Sequence, residues 1–421
     1  MKRFLLVLAT LALAAGIAFA GGTQSGGKEL RVLLANHPYG ELLKAKIPEF
    51  EKATGIKVTV ESLQESQLTQ KLTTEFATNS SSVDVFMTRP LQETLLFNKN
   101  GWYAPLDAYD FSDYPANTVD IGRKAGKPYI VPLVTEWQVL YYRIDLFNKA
   151  GLKVPTTFAE LETAARTLNT GGVAGFGSRG AGAAAVTQLS SYVYNYGGRY
   201  LDNNVAVFDS AQAVDAIKYY GRLLGNYGPQ GVTSMSWEAL MPVFQAGKLA
   251  MWTDASVFYG QIVDKSKTQI PAEDVGVAQL PRGPVGDSPF IVVSWAMGVS
   301  SKTKNADAAA KFLNWATSKE LALEGMFANI TMARNSAWQD SKVRSTMNPG
   351  LISTQAHAAK NGYPYDRPFM SSVGKARDLI GEVIIRSIDT KGAAPELQSM
   401  ATERAKQVND LLKADGEYGG K

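Results

Sequence analysis

The chain has 421 residues, of which 45% are hydrophobic and 19% charged, with a net charge of +4 and no cysteine. Its basic and acidic residues are interspersed, which argues against nucleic-acid binding, since that needs a concentrated basic face. The absence of cysteine removes disulfides and thiol chemistry, and two histidines, His37 and His357, would leave any zinc site to be built mostly of carboxylates, so no cofactor or metal is expected.

The chain opens MKRFLLVLATLALAAGIAFA. Lys2 and Arg3 precede an apolar run, Phe4 to Ala18, broken only by Thr10, and Ala18-Phe19-Ala20 is a small-x-small cleavage site. That order is the secretory signal pattern. Bacterial lipoproteins carry a cysteine directly after such a segment, and here Gly21 stands in its place. The stretch 21–28, GGTQSGGK, reads as a solvated linker. Roughly 400 residues follow the signal, a length suited to two domains. No later segment is apolar for the length of a membrane span. The expectation is an exported, soluble, monomeric protein, periplasmic or extracellular.

Leu30 to Ala35 is a short apolar run of strand length, and Leu42, Leu43, Ile47 and Phe50 then recur at helical spacing up to Gly55, which suits a left-handed helix end. Ile56, Val58 and Val60 alternate with polar residues; Leu68, Leu72 and Phe76 restore the helical period; Val83 to Met87 is a further strand. The first hundred residues thus spell β-α-β-α-β, the pattern of a parallel sheet between helices. Thr157 and Glu160 form a capping box ahead of a helix bearing Leu161, Ala164, Ala165 and Leu168. Asp209 or Ser210 caps a helix with Val214, Ile217, Leu223 and Leu224, and Asn305 caps one with Ala309, Phe312, Leu313 and Ala316. A last long helix is predicted from about Pro395 to Leu412.

Several enzyme signatures are missing or out of context. GFGSRG at Gly175–Gly180 matches G-x-G-x-x-G, but no buried strand precedes it, so a loop that needs bare backbone is the better reading. There is no Walker loop and no G-x-S-x-G elbow. A glycosidase pair would have to come from Asp84, Glu136 and Asp254, since such pairing is spatial.

Seven segments in order, IPEFEKATGIKVTV, LTQKLTTEFAT with VDVFMT, NGWYAPLDAY, KPYIVPLVTEWQVLYYRIDLFNKAGLKVPTTFAEL, FQAGKLAMWTDAS and VVSWAMGVSSKTKNADAAAKFLNWATSKE, resemble the extracellular solute-binding proteins of ATP-driven sugar importers. SRGAG, YNYGGRYLDN, YGPQGV and MWTDAS look closest to the sorbitol/mannitol-binding branch. The chain departs from that branch at PFIVVSWAM, where an aromatic-rich segment is common, and at Trp137, where a small polar residue is common. The resemblance implies an α/β, two-lobed type II periplasmic-binding-protein (Venus flytrap) fold that closes on its ligand. It also implies a receptor rather than an enzyme, partnered by a small-molecule sugar or sugar alcohol and by the permease subunits of a membrane transporter. A sugar alcohol, a monosaccharide and a short oligosaccharide remain open as ligands; the rivals are a receptor for another solute, such as a polyamine, and a secreted carbohydrate-active enzyme. The expected lobes are 29–134 with 282–325 and 135–281 with 326–421, with crossings near Leu133–Gln138, Val277–Pro281 and Ala316–Ala328.

A polyhydroxyl ligand calls for flat aromatic faces and a few fixed polar groups. On the resemblance, Glu136 at the first crossing accepts hydroxyl hydrogen bonds, Trp295 stacks on the ligand, Asp254 and Trp252 of MWTDAS supply an acceptor and a platform, and Arg179 and Arg334 offer planar forks. Trp137 is a further platform. Asn36 and His37 after the first strand, Glu65 after the second, and Thr88 and Arg89 after the third lie where the carboxyl ends of a parallel sheet face a crevice; His37 is equally suited to capping the next helix. Replacing Trp295 or Asp254 by alanine is expected to weaken capture and leave the fold intact.

Overall fold

The computed structural model describes residues 29–420; the signal segment and linker expected over 1–28 lie outside them. The alternating apolar pattern at the start produces β1 (Glu29–Ala35), α1 (Pro38–Thr54), β2 (Lys57–Leu63), α2 (Glu65–Ala77), β3 (Val85–Thr88) and α3 (Pro90–Lys99). β1 pairs in parallel with both β2 and β3, as the β-α-β-α-β reading requires. Leu43, Ile47 and Phe50 of α1 and Leu68, Leu72 and Phe76 of α2 are buried on the sheet, while Leu42 is only partly covered. Gly55 ends α1 at φ 70°, in the left-handed conformation that glycine tolerates.

The remaining strands are β4 (Ile130–Arg143), β5 (Met251–Ala255), β6 (Val275–Gln279) and β7 (Ile291–Val299). They extend the sheet in the order β6-β4-β7-β3-β1-β2, with β5 also on β4. The 14-residue β4 is shared between two regions. Its residues Ile130 to Trp137 pair antiparallel with β7, and Gln138 to Arg143 pair with β5 on one edge and β6 on the other. One continuous strand therefore leaves the first sheet and enters the second.

Around the second region lie α4 (Phe158–Leu168), α5 (Gly182–Asn195), α6 (Ala211–Tyr227) and α7 (Trp237–Gln245). The Thr157 hydroxyl accepts from the Glu160 amide and Glu160 reaches back to the Thr157 amide, the capping box read from the sequence. Ser210 caps α6. The chain then returns through α8 (Ala306–Ala316) and α9 (Lys319–Phe327), which pack on the first core, and ends in α10 (Pro349–Asn361), α11 (Val373–Asp389) and α12 (Leu397–Asp415). Asn305 precedes α8 but makes no side-chain cap; its amide instead reaches the Glu29 carbonyl and Asp84. α11 packs against α5, α6 and α12, and its Ile380, Val383 and Ile384 join Leu189, Val193, Ile217 and Leu223 in a second core. After α9, the Thr135 amide donates to the Thr331 carbonyl and the Ala333 amide to the Leu133 carbonyl. The segment that returns beside β4 thus lies at 330–333, whereas 319–327 is a helix of the first core. No helix among the described residues is long and apolar enough to cross a membrane.

Candidate functional site

The carboxyl ends of β1, β2 and β3 meet segments of the second region in a band of buried charge. His37 occupies the N-cap of α1, where its Nδ1 accepts from the Tyr39 amide (3.3 Å). Nε2 therefore carries the ring proton and donates to Glu136 Oε1 at 3.2 Å. The histidine is cap and site residue at once. The Trp295 ring lies 5.5 Å from the His37 ring, and the Arg89 guanidinium lies 5.7 Å from the Trp295 ring. Trp295 owes its aim to a bulge. Val293 opposes Thr135 and, by strand alternation, residue 295 would share its face. The register shift around Ser294 turns the indole to the Glu136 side instead.

Arg89 binds Glu65 Oε2 at 2.7 Å and Thr69 Oγ1 at 2.5 Å, and its own amide donates to Glu93. Glu65 also accepts from Trp237 Nε1 (3.1 Å), at the first turn of α7. Burial pushes the Glu65 carboxyl up, but Arg89, Arg179 and Arg367 outweigh it and hold the pKa down to about 2. Across the band, Asp254 is fully buried and receives Arg179 Nη2 at 2.6 Å, Gln188 Nε2 at 3.0 Å and the Ala255 amide. Burial opposes the Arg179 charge, yet Asp254, then Glu65 and Glu136, raise its pKa. Trp237 stacks on Phe258 at 4.7 Å, with Arg179 6.0 Å from the Phe258 ring. Gln138 Nε2 donates to Gln188, while its carbonyl oxygen is buried without a partner, an acceptor that a ligand hydroxyl could satisfy.

Of the residues proposed from the sequence, His37, Glu65, Arg89, Glu136, Arg179, Asp254 and Trp295 fall in this band. Asn36 stands at its edge, its amide extending the β1–β2 ladder to Leu63. Thr88 turns its hydroxyl to Glu93 and Tyr103 inside the first core. Trp252 is fully buried between Phe258, Tyr141 and Phe244 and serves as the floor under Phe258. Trp137 points the opposite way from Glu136, donating to Thr354 and packing on Trp338. Arg334 stands apart. It clamps Asp113 (2.9 Å), the Thr317 carbonyl and the Tyr114 ring. Trp237, Phe258, Gln138, Gln188 and the Asp366–Arg367 pair were not singled out from the sequence. Only Phe258 had a local signal, four residues beyond Asp254.

A cavity of about 800 Å³ lies elsewhere. Thr135, Trp137, Ile291 and Val293, which share the face of the β4–β7 pair opposite Glu136 by register, line it, together with Val292, the register partner of Glu136. Its lining is mainly apolar, with Leu91, Ile121 and Trp338. The charged band gathers more of the fixed donors and acceptors that a polyhydroxyl ligand requires; the groove offers the buried, unpartnered Thr94 Oγ1 and Asn98 Oδ1. GFGSRG makes no phosphate cradle: a Cβ on Gly175 would sit 1.9 Å from the Ala165 carbonyl oxygen and one on Gly180 2.3 Å from that of Val232. These glycines serve close backbone packing. Asp84 takes the Arg31 amide at the amino end of β3, across the sheet from the band, which removes it as a catalytic partner of Glu136 or Asp254.

The two-lobed α/β fold and a charged, aromatic-lined band between regions define a solute-binding receptor. The chain belongs to the bacterial extracellular solute-binding protein family, whose model matches residues 35–322. It is 30% identical to a mannitol-binding protein of Pseudomonas aeruginosa over 274 residues, 61% of each chain. Among solved structures, it superposes on a solute-binding protein of Agrobacterium radiobacter with ribitol (TM-score 0.81, 25% identity, 91% of this chain and 99% of that one). The fold is shared equally with an Agrobacterium vitis protein carrying D-mannitol (TM-score 0.80, 24% identity, 92% and 99%).

Proposed function

We propose that the chain is the receptor of an ATP-driven importer, exported from the cytoplasm, which captures a sugar or sugar alcohol between its lobes and passes it to a membrane permease. The observation that carries this reading is the band itself. Hydroxyl-matching groups (His37, Glu136, Gln138) and aromatic faces (Trp295, Trp237, Phe258) converge on the Glu136 face of β4 from the two regions that the strand joins. The polyols named with the relatives support the same class of ligand. A polyamine fits less well, because Glu65 and Asp254 are already engaged by Arg89 and Arg179. We take the lobes to meet midway along β4, in the 280–290 connection and at 330–335, so that closure swings Trp237, Arg179 and Asp254 onto His37, Glu65 and Arg89.

The test is a thermal-shift and calorimetric screen of the mature protein with mannitol, ribitol, glucose, maltose and spermidine. A ligand that binds only the folded state raises the melting midpoint, and the expected hit is a polyol or sugar recovered unchanged. Silence from every carbohydrate with a shift from spermidine would overturn the ligand class and retain the receptor; turnover of a sugar would overturn the receptor.

A further inference from the structure

Three described arginines are more than nine-tenths buried: Arg89, Arg179 and Arg377. Arg89 has Glu65 and Glu93, and Arg179 has Asp254. Arg377, on α11, has no carboxylate within ion-pair distance among the described residues. Its fork goes to neutral acceptors: the Ala183 carbonyl (3.0 Å), Gln92 Oε1 (2.8 Å) and Thr187 Oγ1 (3.4 Å). Arg367 places its own Nη1 and Nη2 on the same Gln92 and Thr187 oxygens, at 3.0 and 3.3 Å, although Asp366 satisfies its charge. Two guanidinium groups thus converge on one amide and one hydroxyl. Gln92 comes from α3 of the first region, and Thr187 from α5 of the second, so the convergence bridges the cleft beside Arg89 and Gln188.

An isolated buried charge is costly unless an opposite charge and hydrogen bonds meet it. Burial, then Arg367 and Arg89, drives the Arg377 pKa well below its ordinary value, and Asp366 and Glu65 counter this only from a distance. The protein nevertheless holds the side chain at the cleft with its fork directed at exchangeable acceptors.

We propose that the ligand is a polyhydroxy acid, a sugar or polyol bearing a carboxylate, and that Arg377, flanked by Arg367, takes that carboxylate at the α3–α11 end of the cleft. A carboxylate matches the planar fork in two parallel bonds, and it would give Arg377 the ion-pair partner that Arg89, Arg179 and Arg367 already have. The Gln92 amide would yield its place to the acid, and the hydroxyls would run toward Glu136 and His37. The proposal rests on the carbohydrate reading of the cleft.

The experiment is calorimetry on the mature wild-type protein and Arg377→Gln with three matched pairs: D-mannitol and D-mannonate, D-glucitol and D-gluconate, D-glucose and D-glucuronate. The expected result is that at least one acid binds wild type about tenfold or more tighter than its neutral partner. In Arg377→Gln that advantage should shrink to about twofold or less. The unliganded variant should melt at or above the wild-type midpoint, because it has lost a buried charge with no ion-pair partner among the described residues; a lower midpoint makes Arg377 a structural member and overturns the proposal. So does neutral binding as tight as acid binding in every pair, which leaves the carbohydrate reading standing. Silence from all six compounds overturns the proposal, and silence from ribitol and maltose as well overturns the carbohydrate reading.

Discussion

Glu136 and Trp137 are neighbours on β4, and their surroundings have nothing in common. Glu136 faces His37, Trp295 and the buried arginines; Trp137 faces Thr354, Trp338 and a wide apolar groove. One residue along a strand reverses the face, so two adjacent residues with equal claims as ligand contacts have different duties. Trp295 adds the complementary case. Its partner strand would have put it on the groove side, and the bulge at Ser294 carries it to the charged side. The chemistry of the front face depends on charged side chains that hold one another by ion pairs, and that of the reverse face on packing with the Trp137–Thr354 hydrogen bond.

The sharpest way to break the front face is to remove one member of a buried pair. Asp254→Ala leaves Arg179 inside the protein without its ion-pair partner, and such a loss costs about 3–5 kcal/mol. The variant is expected to unfold at markedly lower denaturant concentration as well as to lose ligand. The sequence alone predicts an intact fold for this variant; the contact with Arg179, 75 residues away, adds the expected stability cost. On the reverse face, Trp137→Ala opens a cavity and costs about 3–5 kcal/mol, but the dissociation constant of the tightest ligand should not change. Trp295→Ala should do the opposite in binding, weakening that ligand about tenfold or more as a buried aromatic contact. Equal effects of the two tryptophans on affinity would dissolve the distinction between the faces.

Glu65 refines the comparison through pH. Its carboxyl is held at about 2, below the ordinary 4.5, so the stabilisation it brings is complete above the ordinary value and is lost as pH falls through about 2. Solvent reaches about a quarter of the side chain, which limits the contribution to about 1–2 kcal/mol. Glu65→Gln should therefore be less stable than wild type at neutral pH, with the gap closing between pH 4.5 and 2. Urea melts across that range measure it, and a gap independent of pH would show that packing against Trp237, not charge, is what Glu65 supplies.

The parts of this architecture legible in the sequence are those set by local periodicity: the β-α-β-α-β start, the Gly55 stop, the Thr157–Glu160 box. The site was legible where residues follow strands, as His37, Glu65 and Arg89 do, because topology alone sends strand ends to the crevice. It was illegible where the determinant is a distant partner. Gln188 sits within an otherwise buried helix and Arg377 within an amphipathic one, so neither carries a local sign that it turns to the cleft. Trp237 acquires its meaning from Glu65, 172 residues earlier. The crossing expected near 316–328 falls on α9, which the Ser318 cap, accepting from the Leu321 amide, makes helical, and the segment hydrogen-bonded beside β4 follows it at 330–333.

Arg334 gives the smallest effect and the cleanest boundary for the site. It is a late arginine of the kind that sequence resemblance assigns to the cleft, yet its guanidinium fastens the 331–336 segment to Asp113, Tyr109 and the Thr317 carbonyl. A lysine would keep the charge but lose the planar fork that serves three acceptors at once. Arg334→Lys should cost about 1 kcal/mol and leave ligand affinity unaltered, since none of those partners borders the charged band. Because the same segment runs beside β4 through Thr331 and Ala333, the substitution separates two roles. If affinity falls along with stability, Arg334 works on the ligand through the interlobe connection, and the site extends beyond the residues that touch the band.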